Sequence, residues 1–313
     1  MKKKIPTIVF LLLMAVVACN TKTKTAGENK RNKSFPPEMV EFEPYKGNPV
    51  FSGTGTNTWD KKIRERGYIL FEDGVYKMWY TGYNSEVSKQ KYLGYATSKD
   101  GINWSRYSKE PVFSDKWAED MIVLRHEGIY YMYAEGDKDV AHLMVSPDGI
   151  NWQEKGNLIL LTTKGDTISG AYGTPSVWVE DEQWYLFYER DDRGIWLAKS
   201  DDKITWKNVQ DEPVLKLGPD KYDIGAIAAD QVVKYKGNYF LYYHATDRKD
   251  WQHPSSPVNW NSNVAMSSDL VHWEKYPCNP IVKGNHSSPI LVFDGEKPSL
   301  YVMHPEVWRY STK

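Results

Sequence analysis

The chain has 313 residues, 41% of them hydrophobic, and a formal net charge of −1. That length and apolar content suffice to bury a sizeable core. A near-neutral chain with no long run of one charge in its folded part lacks the basic footprint of a nucleic-acid-binding protein.

At the N-terminus, Lys2-Lys3-Lys4 precede an apolar stretch from Ile8 to Val17 and the ending Val16-Val17-Ala18-Cys19, the layout of an export signal. The ending resembles a bacterial lipobox, which implies cleavage before Cys19 and lipid attachment to that cysteine. An ordinary signal peptide or a short membrane anchor is the alternative, although the stretch is too short for a comfortable membrane span. This reading divides the chain into a signal at 1–19, a polar tether rich in Thr, Lys and Asn at 20–34, and a folded domain at 35–313. It puts the protein at the bacterial cell envelope, anchored to the membrane by its lipid.

Beyond the tether the sequence repeats. Ser98-Lys99-Asp100-Gly101-Ile102-Asn103-Trp104 returns as Ser146-Pro147-Asp148-Gly149-Ile150-Asn151-Trp152, and more loosely as Ser200-Asp201-Asp202-Lys203-Ile204-Thr205-Trp206 and Ser267-Ser268-Asp269-Leu270-Val271-His272-Trp273. A polar turn between short apolar runs, recurring at roughly 50-residue steps, is the mark of stacked antiparallel sheets. Upstream of each turn lies a hairpin: an apolar strand, a polar turn, then an aromatic strand. These run over 67–80, 121–133, 175–188 and 231–243, and a fifth covers 289–303. The 13 Trp and 22 Tyr suit packing between such sheets. Five hairpins and four complete turns predict an all-β, five-bladed β-propeller.

After each turn comes a short apolar segment, as in Pro111-Val112-Phe113 and Pro280-Ile281-Val282, read here as an outer strand. The fifth hairpin has no such follower, and Asn48-Pro49-Val50-Phe51 near the N-terminus has the same form. Closing the ring with it removes the exposed edges.

The Ser-x-Asp-(Leu or Gly)-x-x-Trp turns, with hairpins ending in Tyr-Tyr-Met-Tyr or Tyr-Leu-Phe-Tyr, resemble the five-bladed glycosidase propellers, among them glycoside hydrolase families 43, 32, 117 and 130. The similarity spans roughly 48–309 and implies an enzyme acting on carbohydrate. Trp117-Ala118-Glu119-Asp120-Met121 is similar both to the family 43 segment whose Asp tunes the catalytic acid and to the family 130 segment whose Asp donates the proton. Both put Asp120 in the site. The chain departs from family 43 in having Gly173 where that family carries its acid, and from family 130 in having Met121-Ile122 where that family has Pro-Arg. Some relatives hold an axial calcium ion; no ligand spacing here is diagnostic of one, and no other cofactor is expected.

Strand geometry predicts the site independently. The first residue of an inner strand and the last residue of the second strand share one sheet edge, and these edges meet at the axial mouth. Blade one offers Glu65 and Arg66, with Asp60 on the approach loop. Blade two offers Glu119 and Asp120, answered by Glu135; blade three offers Thr174, answered by Glu189 and Arg190. Blade four offers Asp230, answered by His244, and blade five offers His286, answered by His304. Converging carboxylates are a poor device for stability but suit glycoside cleavage, which needs one protonated and one ionised carboxyl. The expected catalytic set is Asp120 as acid or acid-tuning partner, Glu189 or Asp230 as the remaining carboxyl, and Asp60 as base, the last because family 43 places its base on that loop. Glu65, Arg66, Glu119, Thr174, Arg190, His244 and His286 are expected to bind substrate. Trp59 and Trp117 lie on loops and offer faces for a sugar ring. Inverting hydrolysis is what the resemblance implies. Phosphorolysis or transglycosylation of the family 130 type, with Arg66, Arg190 and His286 on phosphate in the first case, and glycan binding without turnover are the alternatives.

Overall fold

The computed structural model describes residues 35–253 and 258–313, so the expected export signal, the expected tether and Cys19 lie outside the described residues. Five sheets follow one another along the chain as the blades of a β-propeller. Blade one is Lys62–Glu72, Val75–Tyr83, Tyr92–Ser98 and Trp104–Arg106. Blade two is Glu119–His126, Ile129–Glu135, Ala141–Ser146 and Gln153–Asn157. Blade three is Ser176–Glu180, Gln183–Glu189, Gly194–Ser200 and Thr205–Asn208, and blade four is Ala226–Tyr235, Asn238–Thr246, Asn261–Ser267 and Trp273–Lys275. Blade five supplies three strands of its own, Ser287–Val292, Ser299–His304 and Trp308–Thr312.

Its fourth strand comes from the other end of the domain. Phe42–Pro44 pairs antiparallel with Trp308–Thr312, Phe42 opposite Thr312. Asn48–Phe51 reinforces this closure: the Val50 N–H donates to Val307 O at 2.8 Å, and Phe51 bridges Val307. The ring thus closes from the N-terminal side as the sequence predicts, with the ladder itself built a few residues earlier.

The segments after the repeated turns differ from expectation. In blades one and four the outer strand begins at the repeated Trp, as Trp104–Arg106 and Trp273–Lys275. The apolar followers instead return to the third strand, with Phe113 bridging Leu93 and Val282 bridging Ser262. A three-residue outer strand leaves the mouth end of the third strand unpaired, and the follower satisfies those backbone groups.

Four inner hairpins turn on two residues, as between Glu72 and Val75 or between His126 and Ile129. In the first, Asp73 and Gly74 have φ of 53° and 73°, the left-handed pair whose twist matches that of the flanking strands.

The repeated turns clasp neighbouring blades at the face opposite the mouth. Tyr301 of blade five donates to Gly101 O at 3.1 Å, Trp79 of blade one to Gly149 O at 2.7 Å, and Tyr133 of blade two to Lys203 O at 3.1 Å. These three rings are fully buried, and each contributes on the order of 1.5–3 kcal/mol through burial.

Candidate active site

At the mouth, the strand ends enclose a cavity of ≈ 380 Å³. Four of the residues around it are left-handed at the threshold of an inner strand: Glu65 at φ 58°, Asp120 at 44°, Thr174 at 43° and Ser288 at 60°. In blade four, a break in register between Ala229 and Gln231 leaves Asp230 outside the ladder. Such breaks re-aim a side chain, and a non-glycine residue at positive φ costs on the order of 1–3 kcal/mol unless its surroundings enforce it.

Arg66 enforces this one. It is wholly buried, and its guanidinium donates to the carbonyls of Asp120, Met121, Pro175, Ala229 and Asp230, so that one cation ties blade one to blades two, three and four. Its backbone N–H donates to Asp120 Oδ1 at 3.0 Å, which fixes the carboxylate of blade two from below. Asp230 Oδ1 lies 3.7 Å from the same guanidinium and is bonded to His244 Nδ1 at 2.9 Å.

The cavity wall is acidic. Burial raises Glu135 well above the ordinary carboxylate range, and the nearby charges of Asp120, Glu119 and Glu189 raise it further. Its Oε2 accepts the Thr174 N–H at 2.8 Å. Burial also raises Glu189, opposed by N–H donors from Asp192 at 2.6 Å and Gly173 at 2.7 Å. Asp192 is raised well above its usual range by burial and by Glu189. Glu119 is raised by burial against the pull of Lys91, its ion-pair partner.

Gly173 stands between two of these groups. A Cβ there would lie 2.1 Å from Glu135 Oε2 and 3.0 Å from Glu189 Oε1. A side chain at the position that carries the acid in family 43 would have to displace the Glu135 and Glu189 carboxyls, which occupy the space.

Two histidines on the wall behave oppositely. Burial alone lowers His244, but the Asp230 carboxylate, with Asp120 and Asp192 beyond it, more than offsets that and raises it. His304 is pushed down to about 4 by burial and lies 3.3 Å from Glu65 Oε2, whose other oxygen pairs with Arg64. Trp117, Trp251 and Trp260 also line the cavity. Trp117 donates to Glu119 Oε1 at 2.8 Å and lies under the Lys91 ammonium.

Of the residues expected from sequence, Glu65, Glu119, Asp120, Thr174, Glu189, His244 and Trp117 meet on this wall, with Asp230 directly behind His244. Five do not. Asp60 is buried against the outer strand of its own blade, paired with Arg106 at 2.6 Å and bonded to Tyr80. Trp59 stacks on Tyr80 and donates to Lys109 O. Arg66 lies beneath the wall with its donors committed to carbonyls. Arg190 sits 5.3 Å from the Trp196 ring, and His286 packs 4.2 Å from Trp308. The sequence reading missed Arg64, Lys91, Lys138 and Asp192. Lys91 and Asp192 lie just before third strands, which begin at the same edge as the first two, and that edge was the available signal. Among the described residues, the one grouping with metal-ligand spacing is His126, Glu127 and Glu182, at hairpin turns away from the cavity.

No protein-family model matches the chain. It is 28% identical over 270 residues to the 1,2-beta-oligomannan phosphorylase of Thermoanaerobacter sp. (strain X514), covering 76% of this chain and 86% of that one. The chain is similar to mannoside phosphorylases. The fold agrees: a structure from the GH130 family of mannoside phosphorylases, a family that contains glycoside hydrolases targeting β-1,2 mannosidic linkages in Candida mannan, has a TM-score of 0.67 at 16% identity, over 87% of this chain and 93% of that one. A candidate glycosidase of Bacteroides thetaiotaomicron VPI-5482 has a TM-score of 0.72 at 19% identity, over 89% of this chain and 99% of that one.

Proposed function

We propose that this protein is a glycoside-cleaving enzyme of mannose-containing oligosaccharides and that it works by hydrolysis. The observation that carries the reading is the placement of Asp120 and Glu135 on one cavity wall, where burial and the charges of Asp120, Glu119 and Glu189 raise Glu135 well above the ordinary carboxylate range. A carboxyl raised in this way holds its proton to higher pH than an ordinary one and can donate it to the leaving oxygen. With Asp60 outside the cavity, Glu65 is the carboxylate that blade one offers there, and it is the candidate to activate water. His244, held through Nδ1 by Asp230, lines the cavity, and its ring is a candidate partner for a sugar hydroxyl. The cavity's three tryptophans supply flat faces for pyranose rings.

Electrostatics favours water over phosphate as the acceptor. The wall carries nine Asp and Glu side chains against three Lys and Arg. Of the three, Lys91 is paired with Glu119 and Arg64 with Glu65. A phosphate dianion entering this cavity meets few uncommitted cations. Phosphorolysis is the second reading, favoured by the similarity to the oligomannan phosphorylase, with Lys138 and His244 as the anion's partners.

The test is incubation of the purified protein with β-1,2-linked mannooligosaccharides, with and without phosphate, followed by mass-resolved product analysis. Free mannose at a phosphate-independent rate is expected. Mannose 1-phosphate formed together with one shortened acceptor per cleavage, and only when phosphate is present, assigns phosphorolysis, and saturable binding without product leaves a glycan-binding protein. The anchor at Cys19 remains part of the proposal, tested by metabolic labelling with a radioactive fatty acid and its loss in Cys19→Ala.

A further inference from the structure

Trp59, one of the aromatic residues singled out from sequence, lies outside the axial cavity but on a groove of its own. That groove, of ≈ 490 Å³, lies beside blade one. We propose that it is a second carbohydrate-binding site, which holds a distal stretch of the neutral glycan whose end enters the axial cavity; in this it rests on the reading of that cavity as a glycan-cleaving site.

Trp59 and Tyr92 form its aromatic part. The Trp59 ring is stacked on Tyr80 at 5.8 Å and 16°, and meets Tyr92 edge-on at 6.3 Å and 89°. With its indole N–H committed to Lys109 O at 2.9 Å, it is held in one orientation before any ligand arrives, which reduces the ordering cost of binding. The polar part is built from amides and a hydroxyl. Asn84 donates to Asn57 Oδ1 at 3.1 Å and to Thr58 O at 3.0 Å, orienting Asn57 and leaving the Asn57 amide hydrogens without a partner among the described residues. Ser88 adds a hydroxyl, and Pro111 an apolar edge. Fixed aromatic rings beside a few convergent amide and hydroxyl groups suit a molecule with an apolar ring face and many hydroxyls. Glu110 is the one charged residue on the groove wall, so the groove selects a neutral ligand and offers nothing to a phosphate or a nucleic acid.

Adjacency makes this a site for the same chain. Lys91 lines the axial cavity and its neighbour Tyr92 lines the groove, so the two stand back to back across the start of one strand. A glycan longer than the cavity and leaving it over that strand meets the groove, whereas a disaccharide occupies the cavity alone.

The test compares steady-state kinetics on β-1,2-mannobiose and β-1,2-mannohexaose for the unaltered protein, Trp59→Ala and Asn57→Ala. The expected result is a KM for the hexaose raised about tenfold in Trp59→Ala and about threefold in Asn57→Ala, with kcat and all constants on mannobiose unchanged. An unchanged hexaose KM in both variants overturns the proposal, as does an equal rise on both substrates. Asn57 is exposed, so its variant decides should Trp59→Ala fail to fold. If neither substrate is cleaved, electrophoresis through a gel containing β-1,2-mannan separates the two readings. Retardation kept in Asp120→Asn but lost in Trp59→Ala and Asn57→Ala upholds the groove where the catalytic reading has failed. No retardation, or equal retardation of all variants, overturns the groove itself.

Discussion

Two sets of carboxyls lie at opposite ends of the propeller's blades, at the repeated turns and at the mouth, and their surroundings drive them to opposite states. At the outer face, Asp100, Asp148 and Asp269 each sit in a repeated turn. Asp148 Oδ1 accepts the N–H groups of Ile150 at 2.9 Å and Asn151 at 2.8 Å, and Ser146 donates its hydroxyl as well. Those backbone donors hold the carboxyl far below its usual range, and the turns at Asp100 and Asp269 repeat the pattern. At the mouth, Glu119, Glu135 and Glu189 are buried with Asp192 half-buried beside them, and all four are raised. Residue type decides neither state. A carboxylate given N–H donors in water is a structural staple, and one withdrawn from water among like charges becomes a store of protons.

The contrast is broken most severely at the mouth. Asp120→Asn and Glu135→Gln are each expected to lower kcat by about 10²–10⁴-fold while the protein stays folded, measured on a cleaved mannooligosaccharide at fixed pH. Near-normal turnover in both removes the pair from the mechanism. Next comes the cation under the ring. Arg66→Met strips the donors from five carbonyls drawn from three other blades, and its cost is about 3–5 kcal/mol of stability, read from denaturant unfolding. A cost below 1 kcal/mol would mean that the ring is held by other contacts.

The outer face was the more legible end in the sequence, because its chemistry is local. Ser146, Asp148 and Asn151 bond within one turn, so the motif and its consequence share a few residues, and the five-bladed fold follows from counting copies. The mouth assembles residues far apart in sequence, and it was readable only where a strand edge fixes position: Asp120, Glu189 and His244 follow from where strands begin and end. Arg66 does not, because the register break between Arg64 and Tyr68 changes which way a side chain points, and no pattern of residue types announces it. Asp60 and Trp59 were misplaced for a related reason. Their loop folds back on Arg106 and Tyr80 of its own blade, a choice made by tertiary contacts. Gly173 had suggested a missing acid, but the carboxyl oxygen 2.1 Å from its would-be Cβ gives the glycine a positive role.

Smaller effects sharpen the comparison through pH. In Asp148→Ala the turn loses its staple, at about 1 kcal/mol. Because the folded carboxyl is held below its ordinary value of 3.8, its contribution is present above that pH and is lost as pH falls through the folded value. The deficit is therefore expected at pH 7 and fades in strong acid. Glu135→Gln has the opposite sign. Above the ordinary value of 4.5 an unfolded chain releases the Glu135 proton while the folded chain keeps it, so the residue costs stability increasingly as pH rises from there toward its folded value. Glutamine has no proton to withhold. The variant is expected to melt a few °C higher than the unaltered protein at pH 7, with the gain vanishing by about pH 4. A Tm gain in the same protein that loses turnover would identify Glu135 as a group kept protonated for chemistry at the expense of the fold. A Tm loss at pH 7 that persists at pH 4 would make it a structural hydrogen-bond partner of Thr174 instead.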